Sequence, residues 1–372
     1  MKEGFPFLEN KSEVRKGRRE IIPTYVYFYI THKCNLRCKH CWIGAGLPSQ
    51  DELSTKEAMI AIRDIYQLGC RFIKFTGGEP FMRPDFMDLL KYTRSLGIDA
   101  TIETNGILLT PEIINELSRL DVSVAVSIDG ITRRSHEFLR GPGTFDRTLR
   151  VIENLARSGV NTQTITVANE VNRNEIPLLI EKLLKMDVNI IKINPQILPS
   201  GRGADILDIN LSYVHLRQLV DFLIKKYYEF PRRILIDIPC GILPIQIARH
   251  TLNNCPWGYG VLGLLSNGDV SLCGSGYLSK TLVAGNIRKV SIEELWLESD
   301  FFRRIRAIKP KQLKGVCGNC LANKICRGGC RIYAYEVYSD LLAPHPICQM
   351  YWDHDEFPRH RLRYPNVDAT YP

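Results

Sequence analysis

The chain has 372 residues, of which 45% are hydrophobic and 24% charged, and its net charge is +9. This length is enough for a full hydrophobic core and predicts two domains. The absence of any apolar run of about 18 residues excludes a membrane-spanning helix, and the polar start lacks the apolar centre of a signal peptide. Twelve cysteines without a secretion signal indicate metal binding in a reducing cytoplasm, not disulfide bonds.

Apolar strand-like runs alternate with amphipathic helical patterns from residue 24 onward. Strands are predicted at residues 24–31, 71–76, 99–103, 122–128, 161–168 and 189–194. Helices are predicted at residues 55–68, 84–96, 111–119, 144–157, 174–186 and 212–229. Six βα units predict an α/β fold with a parallel sheet and right-handed crossovers. Since eight units are needed to close a TIM barrel, we expect a partial, open (β/α)6 barrel.

The sequence directly after the first strand reads CNLRCKHC, with cysteines at positions 34, 38 and 41. Three thiols cannot all be paired in disulfides, but three thiolates can hold three irons of a four-iron cluster. The fourth iron is then open to a small chelating ligand. The alternative is a zinc knuckle, for which His40 is available as the fourth ligand.

Unusual residues also follow the next three strands, at the edge where parallel α/β sheets carry their chemistry. The second strand is followed by GGEP at 77–80, in which two glycines permit a close backbone approach to a ligand. An ordinary βα turn is the alternative. The third and fourth strands are followed by ETNG at 103–106 and SIDG at 127–130. Arg140, in LRGPGTF, is either the partner of a carboxylate or an exposed loop residue.

A second group of cysteines begins at Cys255, where the composition changes to cysteine, glycine and asparagine. Its seven members are Cys255, Cys273, Cys317, Cys320, Cys326, Cys330 and Cys348. A loop-rich region of about 100 residues has a thin core and is typical of a domain stabilised by metal. Seven thiolates are too many for one cluster and nearly enough for two.

These motifs resemble the radical SAM family, and the C-terminal cysteine spacing resembles its SPASM extension. The resemblance implies a (β/α)6 barrel followed by a small, loop-rich α+β domain. It also implies that a cluster on Cys34, Cys38 and Cys41 cleaves S-adenosylmethionine to a 5′-deoxyadenosyl radical. The residues implied to contact S-adenosylmethionine are Gly77, Gly78, Glu79, Pro80, Thr104, Asn105, Ser127, Asp129 and Arg140.

The resemblance further implies two auxiliary iron–sulfur clusters, which makes three clusters in the chain. Cys317, Cys320, Cys326 and Cys348 are implied to hold an outer cluster, and Cys255, Cys273 and Cys330 an inner one. Similar sulfatase-maturing enzymes carry one more cysteine in this region and an Asp where Gly274 stands here. We therefore expect an open iron or a non-cysteine ligand at the inner cluster, and we consider serine oxidation disfavoured.

Two cysteines remain outside these motifs. Cys70 precedes the second strand and is interpreted as a small buried hydrophobic residue. Cys240 follows a short strand-like run in RILIDIPCGILP. It is the candidate catalytic residue as a hydrogen-atom donor to a substrate radical, with a fourth ligand of the inner cluster and an inert thiol as the alternatives.

The predicted organisation has five segments. They are a polar lead-in at 1–22, the barrel at 23–205, a last helix and bridging region at 206–250, the auxiliary-cluster domain at 251–350 and a tail at 351–372. Only 33 residues precede Cys34, which predicts that the leader-binding domain of many peptide maturases is missing. A separate protein would then present the peptide, or the substrate would be short.

The predicted function is maturation of a ribosomally synthesised peptide by hydrogen-atom abstraction, giving a crosslink, an oxidation or an epimer. The alternatives are maturation of a small cofactor, as in pyrroloquinoline quinone, haem or tungsten-cofactor pathways, and a non-catalytic iron–sulfur electron carrier. The positive charge is either solvated surface or a site for an acidic peptide or for a flavodoxin- or ferredoxin-type electron donor. No nucleic-acid motif is present, and we expect a cytoplasmic monomer.

Overall fold

The computed structural model describes residues 14–15, 18–19, 21–250, 255–364 and 367–371. Most of the predicted lead-in at 1–22 lies outside these residues, as do four positions at the start of the predicted auxiliary domain. Two short strands, Val14–Arg15 and Arg18–Arg19, pair antiparallel ahead of the first long strand.

One ten-stranded sheet organises the described part of the chain. Its strands are β1 (Tyr25–Thr31), β2 (Phe72–Gly77), β3 (Asp99–Thr104), β4 (Ser123–Ser127), β5 (Asn161–Val167), β6 (Ile190–Asn194), β7 (Ile234–Ile236), β8 (Val261–Leu264), β9 (Asp269–Ser271) and β10 (Val283–Asn286). The spatial order is β10-β9-β8-β1-β2-β3-β4-β5-β6-β7. Strands β1 to β7 pair in parallel with their neighbours, β8 pairs in parallel with β1, and β9 and β10 add antiparallel partners.

The predicted partial barrel is confirmed, and each of its six strands is present within two residues of the expected bounds. The sequence pattern did not show that a seventh parallel strand, β7, continues the sheet on one side. It also did not show that β8, from the cysteine-rich region, pairs with β1 on the other side. No ladder joins β7 to β10 in the described residues, so the barrel stays open.

Fourteen helices lie within the described residues. They are α1 (Thr55–Gln67), α2 (Phe86–Ser95), α3 (Pro111–Arg119), α4 (Arg133–Arg140), α5 (Phe145–Arg157), α6 (Ile176–Lys185), α7 (Tyr213–Glu229), α8 (Ile245–His250), α9 (Ile292–Glu298), α10 (Asp300–Ala307), α11 (Gly315–Asn319), α12 (Asn323–Cys326), α13 (Arg331–Tyr338) and α14 (Pro346–Asp353). None of these fourteen combines the length and the apolar character that a membrane-spanning helix needs. Helix α4 was not predicted, because RRSHEFLR contains too few apolar residues to show a helical period.

The strand side chains alternate between two surroundings, as the geometry of a β-strand requires. In β1, Val26, Phe28 and Ile30 are completely buried in the hydrophobic core. Tyr27 and Tyr29, which alternate with them, point to the opposite face of the sheet, the inside of the barrel. The same core continues into the C-terminal region, where Trp296 is fully buried and donates a hydrogen bond to the carbonyl of Ile21 at 2.6 Å. The barrel and the cysteine-rich region therefore share one core.

Candidate active site and cluster sites

The first candidate site is the loop from Cys34 to Cys41, here called the cluster loop, which leaves the C-terminal end of β1. Its base is closed by two backbone hydrogen bonds, from the amide of Cys34 to the carbonyl of Gly46 and from the amide of Gly46 to the carbonyl of His32, both at 3.0 Å. Cys34 and Cys41 pack against the small apolar cluster formed by Tyr29, Ile43, Ala45 and Leu265. The strand thus delivers three free thiols to the mouth of the barrel, as the motif predicted.

The cysteine motif predicts that these thiols hold a four-iron cluster, in which each thiolate binds a different iron. Within the described residues, no group of three His, Cys, Asp or Glu side chains is placed to hold a single metal ion. Burial raises the pKa of Cys34 to about 11, so the free thiol is protonated at neutral pH and must lose its proton when it binds iron.

The glycines of GGEP bring two stretches of backbone together. The amide of Gly78 donates to the carbonyl of Thr31 and the amide of Glu79 to that of Lys33, both at 2.8 Å. A Cβ on Gly78 would lie 2.1 Å from the Lys33 carbonyl oxygen, and Gly77 has a positive φ of 120°. The close approach is therefore made to the segment that leads into the cluster loop, whereas the sequence pattern led us to expect a ligand there.

Glu79 is completely buried, and its carboxylate is bound by groups of the protein. The hydroxyl of Thr104 donates to it at 2.7 Å, and the backbone amide of Asn105 donates at 2.8 Å. Burial raises the pKa of Glu79 to about 7, against these hydrogen bonds. Glu79 therefore fixes the loop after β3, and the predicted contact with the amino group of S-adenosylmethionine stays a prediction.

Asn105 connects that loop to the cluster loop. Its amide nitrogen donates to the side chain of Asn35 at 2.8 Å and lies 4.0 Å from the sulfur of Cys34. Asn35 was not among the predicted site residues, although it lies inside the cysteine motif. The two asparagines place the predicted S-adenosylmethionine loop directly beside the first thiol.

Asp129 and Arg140 form a buried ion pair next to the second thiol. The guanidinium Nε donates to the Asp129 carboxylate at 2.6 Å, and Nη1 lies 3.9 Å from the sulfur of Cys38. Arg140 is 8% exposed at the end of α4, so the alternative of an exposed loop arginine is wrong. His40 completes the group, 3.5 Å from Asp129 and 3.3 Å from Arg140. Its Nε2 thus faces an ion pair, while its Nδ1 is buried without a hydrogen-bond partner among the described residues.

A segment after β6 clamps the cluster loop from the other side. Arg202 donates to the carbonyls of Cys38 and Ala45, both at 2.9 Å. Gly201 packs so closely that a Cβ there would lie 2.5 Å from the carbonyl of Cys41. This contact was not predicted, because no local pattern relates residue 202 to a loop more than 150 positions earlier.

The described residues leave several polar atoms at the mouth of the barrel buried without a hydrogen-bond partner. They include oxygens of Asn194, Gln196 and Ser200, all at or just after the end of β6. Buried oxygens of this kind are costly unless a ligand or water satisfies them. They fit the amino and hydroxyl groups of S-adenosylmethionine. Asn169, in contrast, uses its side chain to bind backbone groups of its own turn.

The inside of the barrel carries charged side chains on the face opposite the core. Lys74 pairs with Glu103 at 2.9 Å and lies over the ring of Tyr27. Lys192 pairs with Asp237 at 2.9 Å. The sequence offered a signal for these residues, since each lysine interrupts an otherwise apolar strand. Ser127, at the end of β4, is half-buried. We call the space lined by these side chains the lumen.

The inner cysteines, Cys255, Cys273 and Cys330, converge beside the lumen. Burial, followed by electrostatic repulsion from Cys330 and Cys273, raises the pKa of Cys255 well above its ordinary value. The pKa of Tyr27 is also raised, mainly by burial and to a smaller extent by the negative charge of Cys255. The negative charge of Asp237 contributes to the raised pKa of both Cys255 and Cys330. The donor set is therefore three thiols with one carboxylate nearby, which fits the expected three-cysteine inner site.

The outer cysteines, Cys317, Cys320, Cys326 and Cys348, line one small cavity together with Gly241 and Phe357. Hydrogen bonding with Cys348 and the charge of Arg331 lower the pKa of Cys317 to about 7, against burial. Four thiols around one cavity fit a four-iron cluster. Cys240 lies with this outer set, hydrogen-bonded to Cys326, and not with the inner set.

Comparison with known proteins agrees with this geometry. The family model of the radical SAM superfamily matches residues 28–183, and that of SPASM, an iron–sulfur cluster-binding domain, matches residues 255–321. The AdoMet-dependent heme synthase of Methanosarcina barkeri is 32% identical over 351 residues, which cover 88% of this chain and 96% of that protein. The mycofactocin maturase MftC of Mycobacterium tuberculosis is 30% identical over 333 residues, which cover 88% and 83%.

Solved structures share the fold at lower sequence identity. Streptococcus suis SuiB bound to S-adenosylmethionine has a TM-score of 0.73 at 17% identity, covering 88% of this chain and 78% of that chain. The structure of anSMEcpe with bound AdoMet has a TM-score of 0.70 at 20% identity, covering 90% and 96%. The cysteine motif, the open barrel, the family models and the curated relatives all agree, and this chain belongs to the radical SAM superfamily of enzymes, with a SPASM iron–sulfur cluster-binding domain.

Proposed function

We propose that the enzyme abstracts a hydrogen atom from a peptide bound in the lumen. The observation that carries this proposal is the position of the lumen, which lies between the cluster loop and the inner cysteines. Tyr29 of β1 belongs to the small apolar cluster against which Cys34 and Cys41 pack, and a Cβ on Gly274, the residue after Cys273, would lie 2.7 Å from its ring. A substrate in the lumen would therefore contact both sites at once.

The residues of the chain would divide the work as follows. The three thiols of the cluster loop hold a four-iron cluster, which when bound supplies the electron that releases the 5′-deoxyadenosyl radical from S-adenosylmethionine. Glu79 holds the loops on one side of that site in place, and the Asp129–Arg140 pair holds the other. Asn194 and Gln196 offer oxygens as hydrogen-bond acceptors.

The substrate class is supported by relatives. The curated relative named mycofactocin maturase covers 88% of the chain at 30% identity. A crosslinked or oxidised product would be about two mass units lighter than the peptide, whereas an epimer would keep its mass. We propose three clusters per chain and a small flavodoxin- or ferredoxin-type electron donor, since the positively charged chain suits an acidic partner.

A small cofactor precursor is the second candidate. Relatives named AdoMet-dependent heme synthase and Fe-coproporphyrin III synthase are 32% and 29% identical. Lys74 and Lys192 in the lumen favour a substrate that carries carboxylates, because each ammonium could exchange its present partner for one. The two candidates differ in substrate and not in the radical chemistry.

The test begins with the anaerobically reconstituted enzyme, S-adenosylmethionine and dithionite. We expect 5′-deoxyadenosine in the wild type and none when Cys34, Cys38 and Cys41 are all replaced by Ala. Synthetic peptides encoded next to the gene and iron coproporphyrin III are then offered separately, and the products are read by mass spectrometry. A modified peptide supports the first candidate and a modified porphyrin the second. Without deoxyadenosine from the wild type, both fail.

A further inference from the structure

Cys240 lies in the turn between β7 and α8, and it is buried with 6% exposure. Its side chain is hydrogen-bonded to that of Cys326. The neighbouring Gly241 lines the cavity of the outer cysteines, and a Cβ there would lie 3.5 Å from the sulfur of Cys320. Four thiols therefore line this cavity, as the SPASM resemblance implied, and Cys240, next to the cavity residue Gly241 and beside Cys326, adds a fifth thiol to the group.

Packing alone does not explain a thiol at this position. The comparison is Cys70, which is 1% exposed and has backbone carbonyls as its partners, those of Phe72 at 3.3 Å and Thr24 at 3.7 Å. That arrangement is typical of a cysteine used as a small hydrophobic residue. Cys240 is equally well buried but faces two cysteines of the outer set, so it adds a possible iron ligand.

A four-iron cluster has one protein ligand position on each iron, so only four of the five thiols can bind at one time. Cys317 and Cys348 are hydrogen-bonded to each other, and Cys326 is hydrogen-bonded to Cys240. Cys240 therefore competes most directly with Cys326. The guanidinium of Arg331, buried beside Cys317 and bound by backbone carbonyls, provides positive charge for the thiolates.

We infer that Cys240 is a fifth ligand of the outer site and exchanges with Cys326 at one iron. This inference rests on the proposed outer cluster. In the exchange, the Cys240 sulfur forms a bond to iron and loses its proton, while the Cys326 sulfur leaves the iron and takes up that proton. No electron is transferred and the total charge does not change. The hydrogen bond between the two side chains provides the path for the proton.

The test measures iron per chain and the Mössbauer spectrum of anaerobically reconstituted variants. We expect Cys326→Ala and Cys240→Ala each to keep four thiolate-ligated irons in the outer cluster, and the double variant, left with three thiols, to show a changed Mössbauer signal from the iron that has lost its thiolate. Cys317→Ala is the reference variant, in which one ligand is lost and no unbound thiol can replace it, because the neighbouring Cys348 is already a ligand. Cys70→Ala is the matched control for a buried thiol and should keep all the iron.

The inference is overturned when Cys326→Ala shows the same changed Mössbauer signal as Cys317→Ala, or when the double variant keeps the wild-type spectrum. Cys326→Val, which has no iron-binding atom, replaces the Ala variant when circular dichroism shows that the latter does not fold. Should the wild type hold about eight irons or fewer, with no cluster on four thiolates in its spectrum, the outer cluster itself is absent, and the proposed function fails at that point rather than the role of Cys240.

Discussion

At the scale of single residues, the buried acids of this site hold loops in place. The carboxylate of Glu79 is occupied by groups from the loop after β3, and that of Asp129 by Arg140 and by the amide of Val167 at 2.8 Å. Such acids act on the reaction through the thiols and loops that they position. Their removal should therefore slow cofactor cleavage, and the loss of Asp129 should also destabilise the fold because it leaves the buried charge of Arg140 unpaired.

For Glu79→Gln we expect a drop of about 10- to 100-fold in 5′-deoxyadenosine formation, the usual cost of losing a hydrogen bond that orients a metal site. The reason is that glutamine has one acceptor oxygen, whereas the carboxylate accepts from Thr104 with one oxygen and from the backbone amide of Asn105 with the other. Product is measured by liquid chromatography at saturating S-adenosylmethionine. Glu116→Gln, which changes a surface pair with Lys91, is the control and should keep full activity. Unchanged activity in Glu79→Gln would contradict the positioning role.

His136 should make the protein less stable as the solution becomes acidic. Burial lowers the pKa of His136 to about 4, below the ordinary value of 6.5. The unfolded chain therefore takes up a proton that the folded chain refuses, and stability is lost as the pH falls from about 6.5 toward 4. The expected loss between about pH 7.5 and pH 5.5 is about 1 kcal/mol.

Thermal unfolding at the two pH values measures this effect. His136→Asn keeps an acceptor for the amide of Asp129, which donates to His136 Nδ1 at 3.2 Å. The pH dependence of this variant should be smaller than that of the wild type by about 1 kcal/mol. It should not vanish, because burial also lowers the pKa of His40 to about 4. Identical pH dependence in both proteins would show that His136 does not titrate in this range.

At the scale of elements, the site is formed where loops from neighbouring strands touch each other. The GGEP turn is hydrogen-bonded to the segment before the cluster loop, and the loop after β3 touches Asn35 within it. Helix α4 ends with Arg140 beside Cys38. The cluster loop is thus held from three directions by elements that are distant in sequence.

Gly78→Ala should disturb the cluster loop directly. The added Cβ would lie 2.1 Å from the Lys33 carbonyl oxygen, which cannot move without moving the loop. We expect a loss of stability of about 1 to 3 kcal/mol together with weaker retention of the loop's iron. Thermal unfolding and iron per chain measure the two effects.

Gly97→Ala is the control for a substituted glycine without a new contact, because a Cβ added there would have nothing within 4 Å, although Gly97, unlike Gly78, has a positive φ, 75°. It should cost about 1 kcal/mol through backbone strain alone and leave the iron unchanged. Equal iron loss in both variants would assign the effect to general destabilisation and not to the contact with Lys33.

At the scale of the whole molecule, the cysteine-rich region is built onto the barrel. Strand β8 extends the barrel sheet beside β1. Trp296 of α9 is buried and donates a hydrogen bond to Ile21, in the segment that precedes β1. Arg288 adds a link outside the core, where its Nε donates to Glu57 at the start of α1 at 2.6 Å. The inner cysteines are thereby placed at the lumen, on the same side as the cluster loop.

The whole chain should hold about 12 irons after anaerobic reconstitution, four for each of three clusters. The variant in which Cys34, Cys38 and Cys41 are all Ala should hold about 8, since the auxiliary thiols lie on separate elements. Iron and sulfide analysis gives both numbers. A wild type with about 4 irons and bound zinc would disprove the auxiliary clusters.

The barrel and the positions of the cysteine motifs could be predicted from the amino-acid sequence. Strand and helix patterns are local, so the six βα units and the ends of their strands follow from the hydrophobic period. The cysteine motif and GGEP follow strands directly, and the rule that parallel strands present their C-terminal ends together placed them at one edge. The spacing from Cys317 to Cys330 indicated a second site through its resemblance to the SPASM extension.

Which of these groups meet depends on the tertiary structure. Helix α4 is too polar to be recognised from its own sequence, and it forms with Arg140 buried against Asp129. Lys192 pairs with Asp237, which follows β7, and Cys240 interacts with Cys326 in the cysteine-rich region. Contacts between distant residues are set by the order of the strands and the packing of the loops, and neither can be predicted from a local sequence pattern. That packing places Cys240 beside Cys326 of the outer cysteines, whereas the sequence left open whether it belonged to the inner cluster.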